Sequence, residues 1–331
     1  DFLGYSWNIV LMKKAKIIGA GGYGGVGIVE LLLKHPEVEI ACLVAKDQTG
    51  IPMSDLYPHL KGFCDRPILA ADDLAADVDA DIVFFSTPDR VGMNEAQKYL
   101  EKGVKVIDYS GDFRFNSAVD YADYAGRLGK PTEHHAESLL PQSIYGLPEL
   151  GLSDFSEASL VGNPGCFAAS VLLGAAPLLA NKVIVEGSLI ADCKTGVSGA
   201  GKKPAPGFHY PARYDNMNAY RLVPATRGIM SCIYAKANDA ISAEALQDLY
   251  DVFYAGKHFV RVYDADANIG TSDVRGSNFC NITVSKDERT DTIRIVSHID
   301  NLMKGQAGNA LQVMNLMLGL PEKMGLDAPG Q

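Results

Sequence analysis

The run Lys16-Ile17-Ile18-Gly19-Ala20-Gly21-Gly22-Tyr23-Gly24-Gly25 places a compact apolar strand directly ahead of a glycine loop and a helical stretch. Few folds accommodate that order. Glycine there lets the backbone turn tightly and approach a pyrophosphate, which then lies at the positive end of the following helix. Glycine is common in this chain, 33 of 331 residues, so the pattern alone is weak. Its position between a first strand and a first helix is what gives it weight against a merely structural turn. Gly19, Gly21, Gly22, Tyr23, Gly24 and Gly25 are therefore expected to bind a dinucleotide.

The end of the second strand bears on which dinucleotide. An acid there would hold a ribose 2′-hydroxyl, but the strand ends Leu43-Val44-Ala45-Lys46. Lys46 is available to a 2′-phosphate, although Asp47 stands beside it and a solvated surface lysine is the competing reading. NADP is the expected cofactor.

Around this unit the chain alternates short apolar runs with helical spacing. Residues 15–20, 39–44, 81–86 and 104–109 read as buried parallel strands, and 25–35 and 91–102 as helices. That order predicts an α/β fold with a doubly wound Rossmann sheet. From residue 183 the strands lengthen and alternate (183–192, 229–237, 278–286, 292–299), with a helix at 243–254. A second α+β domain with a mixed sheet is expected. The last helix carries Ala307, Leu311, Met314 and Leu318 on one face and must pack on something large.

Thirty basic against forty acidic residues leave a net charge of −10, which argues against general binding to nucleic acid or anionic membranes. Apolar runs such as 171–180 are too short to span a bilayer. The six cysteines, at 42, 64, 166, 193, 232 and 280, form no CxxC pair and no metal-ligand spacing. They read as reduced thiols of a cytoplasmic protein, with no metal site. Residues 1–11 lack a basic leader and are expected to be an extension ahead of Met12.

One cysteine differs from the rest. Asn163-Pro164-Gly165 turns the chain so that Cys166 opens a long apolar helical stretch. Free backbone N–H groups and the helix dipole there favour a thiolate and should lower its pKa. By itself this is balanced against a buried structural thiol. Beside a dinucleotide fold it becomes the leading nucleophile, because a thioester is a form in which a nicotinamide can reduce a carboxylic acid derivative.

Several segments extend the pattern over nearly the whole chain from Lys16. They are the glycine loop, Tyr57-Pro58-His59-Leu60, Ser110-Gly111-Asp112-Phe113-Arg114, Tyr145-Gly146-Leu147-Pro148-Glu149 and Asn163-Pro164-Gly165-Cys166. Gly196-Val197-Ser198-Gly199-Ala200-Gly201, Val223-Pro224-Ala225-Thr226-Arg227-Gly228 and Asp300-Asn301-Leu302-Met303-Lys304-Gly305 complete the set. With these the chain resembles the N-acetyl-γ-glutamyl-phosphate reductases, acyl-phosphate reductases of arginine biosynthesis in the glyceraldehyde-phosphate/aspartate-semialdehyde dehydrogenase superfamily.

The resemblance implies a Rossmann domain of residues 12–164 and 304–331, a catalytic and dimerisation domain of 165–303, and a homodimer or homotetramer. It implies Cys166 as nucleophile, the Gly21–Gly25 loop on the NADP pyrophosphate, and Ala45 and Lys46 at the 2′-phosphate, where the family usually has Ser-Ser-Arg. Asn301 would lie near the nicotinamide, and Ser198 and Gly199 close to the active site. Arg114 and Arg227 are candidates for the phosphate or carboxylate of an acyl-phosphate substrate, with structural salt bridges as the alternative. The product would be N-acetylglutamate 5-semialdehyde. Rival readings are a carrier-protein-linked aminoadipyl- or glutamyl-phosphate reductase of lysine biosynthesis, an aspartate-semialdehyde dehydrogenase, and a cofactor-binding protein without catalysis.

One departure is conspicuous. After Tyr220 the family continues with a His-Arg-His-x-Pro-Glu segment that supplies the catalytic base, whereas here Arg221 runs straight into Leu222-Val223-Pro224. Either an internal stretch is missing from this sequence or the protein has lost its base, and the intact flanks favour the former. His209 is nearest in family context, but its usual position is not the base, and no catalytic histidine is assigned.

Overall fold

A computed structural model describes residues 12–203, 222–223, 225–238 and 241–330. Two sheets organise it. The first is six-stranded and wholly parallel, in the order β2-β1-β3-β4-β6-β5. Its strands are β1 (Lys13–Ile18), β2 (Val38–Val44), β3 (Ile82–Phe85), β4 (Lys105–Asp108), β5 (Ser143–Tyr145) and β6 (Leu160–Gly162). The sequence Ile-Val-Phe-Phe of β3 is buried at every position, as a strand covered on both faces must be.

Helices α1 (Tyr23–Leu32), α2 (Met53–Leu56), α3 (Gly92–Leu100) and α4 (Ala118–Arg127) belong to this half. The start of α3 has no cap from its own neighbours. Asp112, from the loop after β4, accepts from the backbone N–H groups of Arg90 and Met93 instead. Its carboxylate thus serves the positive end of α3 across the fold.

The second sheet is mixed, in the order β7-β8-β11-β10-β9, with only β9 and β10 parallel. It comprises β7 (Ile190–Thr195), β8 (Ile229–Lys236), β9 (Val260–Tyr263), β10 (Cys280–Asp287) and β11 (Thr292–Ile299). Helix α5 (Cys166–Ala180) lies on it so closely that a Cβ on Gly174 would sit 2.5 Å from Ile233 Cδ1. Helix α6 (Ala243–Phe253) is capped by Ser242 and locks onto α5 where the Tyr250 hydroxyl donates to the Gly174 carbonyl at 2.6 Å. Both helices cover one face. On β8, Ile229, Ser231, Ile233 and Ala235 point to that face and are buried, while Tyr234 and Lys236 on the other are exposed.

The expected strand at 183–192 is corrected. The chain turns at Gly187, where φ is +75°, so Ile184 makes only an isolated bridge to Ala237 and the strand proper begins at Ile190. A π-helical turn, Met303–Ala307, then leads into α7 (Gly308–Met317). Ala307, Leu311 and Met314 fill the core formed with Ile17 and Ile28 of the parallel-sheet half.

Candidate active site

The glycine loop is built from contacts that a side chain would destroy. Gly19 has φ +89°, and a Cβ there would fall 2.2 Å from the Ser86 carbonyl oxygen. Gly25 is as crowded, 2.3 Å from the Gly19 carbonyl. Gly24 abuts the side chains of Ser86 and Gln306. Gly22, by contrast, faces nearly open space at the N-cap of α1, with Tyr23 as the first helical residue. Gly21 is held from behind, its carbonyl accepting from the Tyr57 hydroxyl at 3.0 Å.

The end of β2 meets this loop directly. The N–H groups of Gly19 and Ala20 both donate to the Val44 carbonyl, at 2.8 and 3.1 Å. Ala45 is buried and bonded to Leu69, while Lys46 is exposed, with no ion partner among the described residues. Buried beside the loop, Thr87 Oγ1 and Gln306 Oε1 have no hydrogen-bond partner among the described residues. A glycine cradle, an uncapped helix start, unpaired buried oxygens and a free cation at the strand end are what a dinucleotide with a 2′-phosphate needs. The residues fit NADP.

The Ser110–Arg114 segment follows from its bonds. Ser110 folds back on Asp108 through both its N–H and hydroxyl, and Gly111 leaves room for the Tyr124 ring. Asp112 caps α3, Phe113 is buried, and Arg114 turns toward the cysteine. Its Nη2 donates to the Tyr109 carbonyl at 2.6 Å and its Nε to the Asn163 carbonyl at 2.8 Å. Its Nη1 stays near Gly165. Asp108, wholly buried next to Asp112, has its carboxyl pushed up to about 7, chiefly by burial and then by that neighbour's charge.

Cys166 is the first residue of α5, and Gly165 caps the helix in extended conformation. The expected lowering of its pKa is corrected. Burial pushes the thiol above its ordinary value, and the backbone N–H groups of Phe167 and Cys166 and the Arg114 charge offset only part of that. Desolvation of the anion outweighs the helix start.

The Ser198 turn and Asn301 come together. Asn301 Nδ2 donates to Ser198 Oγ at 3.0 Å, its Oδ1 accepts from the Gly228 N–H at 2.8 Å, and Gly199 lies alongside. Arg227 forks onto buried Asp300 with Nη2 at 2.9 Å and Nε at 3.2 Å. No hydrogen bond or ion pair among the described residues joins it to the Cys166 turn. His209 and Arg221 lie outside the described residues. The histidines at 35, 59, 134, 135 and 258 have partners elsewhere, and buried His298 projects from β11.

Sequence reasoning missed Ser86, Thr87, Gln306 and the capping role of Asp112. A Ser-Thr-Pro run just past β3 was the available signal for the first two. Gln306 had none, because it is brought in by the C-terminal return of the chain. Among the described residues no cluster of His, Cys, Asp and Glu could hold a metal ion, and no helix is long and apolar enough to cross a membrane.

Sequence models of the semialdehyde dehydrogenase family match most of the chain, the NAD binding domain at residues 14–158 and the dimerisation domain at 166–223 and 221–301. The N-acetyl-gamma-glutamyl-phosphate reductase of Citrifermentans bemidjiense is 38% identical over 346 aligned positions, covering 96% of this chain and 98% of that protein. That of Geobacillus stearothermophilus is 40% identical over 344, covering 95% and 98%. Both alignments are longer than the chain's 331 residues, so these relatives carry residues that it lacks. The two dimerisation-domain matches meet at 221–223. In structure the chain is similar to aspartate semialdehyde dehydrogenase II of Vibrio cholerae (TM-score 0.65, 18% identity, 93% and 99% covered). The aspartate semialdehyde dehydrogenase of Candida albicans with NADP gives TM-score 0.61 at 18% identity, covering 92% and 98%. At such identity the likeness speaks to the fold.

Proposed function

The chain belongs to the N-acetyl-γ-glutamyl-phosphate reductase family, and from that premise we propose the way its own residues carry out the reaction. The enzyme reduces N-acetyl-γ-glutamyl phosphate to N-acetylglutamate 5-semialdehyde with NADPH, in arginine biosynthesis. The observation that carries the mechanism is Gln306. Its side chain lies against Gly24 of the cofactor loop, while its carbonyl accepts from Asn163 Nδ2 at 3.2 Å in the turn that presents Cys166. Gln306 thus joins the cofactor loop to the turn that presents Cys166.

Cys166 attacks the acyl carbonyl, the C–O bond to phosphate breaks, and an enzyme thioester forms with release of phosphate. Arg114, with Nη1 by Gly165, holds the substrate's phosphate or carboxylate and favours the thiolate. The first N–H groups of α5 hold the developing oxyanion. Gly19, Gly21, Gly22, Tyr23, Gly24, Gly25, Ala45, Lys46, Ser198, Gly199 and Asn301 would hold NADPH, which would supply the hydride for the thioester carbon; the C–S bond then breaks, releasing the aldehyde and the Cys166 thiol. Because the Cys166 thiol is shifted upward, deprotonation has to be assisted, which is the task of the base the family places after Tyr220. Arg227, paired with Asp300 at 2.9 Å, is the second candidate for the substrate's phosphate or carboxylate.

The domain division we adopt is 12–164 with 304–331 for the nucleotide and 165–303 for catalysis and assembly, supported by α7 lying in the first core and α5 in the second. The face of the mixed sheet opposite α5 and α6, where Ile190 is 66% and Tyr234 38% exposed, is the surface for a homodimer or homotetramer. We place the enzyme in the cytoplasm. The carrier-linked reading is not favoured, since the relatives that match over the full length bear the arginine-pathway name. Incubation with N-acetylglutamate semialdehyde, NADP and phosphate tests the proposal. Phosphate-dependent formation of NADPH is expected, and its absence in a chain carrying the histidine segment overturns it.

A further inference from the structure

Between the two sheets lies a knot of polar side chains that the mechanism above does not use. Lys304, in the π-helical turn, is 0% exposed and faces Glu149, itself 2% exposed. The ammonium donates to Glu149 Oε1 at 2.6 Å, to Gln312 Oε1 at 2.7 Å and to Asn309 Oδ1 at 3.1 Å. All three of its donors are used. A buried ion pair is expensive to desolvate and is often replaceable by apolar residues without loss of stability. Stability therefore gives no reason for a charge here.

The bonds beyond Asn309 give one. A lysine can only donate, so Asn309 must turn its carbonyl oxygen to Lys304 and its amide nitrogen away. That nitrogen donates to Asn163 Oδ1 at 2.8 Å and to the Gly146 carbonyl at 2.6 Å. Asn163 is then fixed in turn, its own Nδ2 pointing to the Gln306 carbonyl. Asn163 begins the turn Asn163-Pro164-Gly165-Cys166. The same lysine is followed by Gly305, where a Cβ would fall 2.6 Å from Cys166 Cβ. Side-chain relay and backbone contact converge on the cysteine from one dipeptide.

We infer that Lys304 is a positioning residue for Cys166: its ammonium sets the amide orientations of Asn309 and Asn163 and so fixes the turn from which the sulfur attacks. This rests on the reading of Cys166 as the nucleophile. Its signature is specific. Loosening the turn frees the sulfur for a small alkylating agent while taking it off the line of attack.

The test replaces both charges, as Glu149→Met with Lys304→Met, so that no lone buried charge remains. A second variant, Asn309→Ala, cuts the relay and leaves the ion pair. Iodoacetamide modification is followed by mass spectrometry at each cysteine, alongside kcat and KM. In both variants Cys166 should alkylate severalfold faster while buried Cys42, Cys64 and Cys280 stay unmodified. Where turnover is measurable, kcat should fall about ten- to a hundredfold, as displacement of a reacting group does, with KM unchanged. Combining the changes should add little, since both act through one relay. If the charge-free protein does not fold, Asn309→Ala alone decides. Unchanged Cys166 reactivity in it, or acceleration shared by all cysteines, overturns the inference. Cys166→Ser in the otherwise unaltered chain separates the premise: retained turnover there removes the nucleophile itself, whatever the relay variants do.

Discussion

Arg114 Nε lies 2.8 Å from the carbonyl oxygen of Asn163, so the guanidinium is tied to the turn that presents Cys166. Two edges of the fork are held by backbone and the third is left toward Gly165. Lysine has no such fork. Arg114→Lys is expected to raise KM for the acyl phosphate about tenfold or more, at the scale of a lost charge-assisted pair. Initial-rate kinetics check this, and an unchanged KM would return Arg114 to a purely structural role.

The thiol carries a pH signature. Burial holds Cys166 above the ordinary thiol value and the Arg114 charge pulls it back. Without ligand, its alkylation rate should keep climbing beyond the pH at which a free cysteine has levelled off. In Arg114→Ala the climb should move to still higher pH. A plateau near neutrality in the unaltered protein contradicts this.

Cofactor choice is expected to depend on Lys46. The side chain is exposed at the end of β2, next to the glycine loop. Lys46→Ala should weaken NADP binding about tenfold, the scale of one lost exposed phosphate contact, and leave NAD nearly unaffected. Titration calorimetry with both nucleotides distinguishes this from an equal loss, which would exclude a 2′-phosphate contact.

Gly19→Ala should damage the same site by a different route. The residue has φ +89° and no room beside the Ser86 carbonyl. The left-handed conformation alone costs an alanine about 1–2 kcal/mol, before the clash is counted. Lower thermal stability together with loss of NADP binding is expected, and a normal melting curve would rule out this geometry.

Asp108 makes stability depend on pH. Its folded-state value, pushed up to about 7, stands above the unfolded value, so the folded protein binds the extra proton between them. The contribution is complete below the unfolded carboxylate range and is lost as pH rises toward about 7. Asp108→Asn should flatten the decline in melting temperature between about pH 4 and pH 7. An unaltered profile would mean that Asp108 ionises freely.

Which parts of this site could be read from sequence follows from how local they are. The glycine loop and the Cys166 turn are single strand–turn–helix units, so neighbouring residues suffice to specify them. Asp112 capping α3, Gln306 bridging loop and thiol, and Lys304 facing Glu149 join residues about 20 to 155 positions apart. Nothing in their own neighbourhoods announces the partner. The direction of the Cys166 shift was lost for the same reason, because burial belongs to the assembled fold and the helix start to the local chain. Strands β5, β6 and β9, of three or four residues, are too short for periodicity to register. The early β7 boundary erred because Glu186-Gly187-Ser188, with Gly187 at φ +75°, turns the chain between the apolar residues 183–185 and 189–191.

Helix α7 has a consequence for how the protein is made. It follows both sheets in the chain, yet it completes the core of the parallel one, whose strands precede the mixed sheet. A chain emerging from the ribosome can finish the mixed sheet, whose strands and the helices α5 and α6 all fall between Cys166 and Ile299. The nucleotide half has to wait, with the groove against Ile17 and Ile28 open, until α7 itself clears the exit tunnel. Birth order and folding order are thus reversed, and the interval between them is when the nascent enzyme is most exposed to aggregation and most dependent on chaperones.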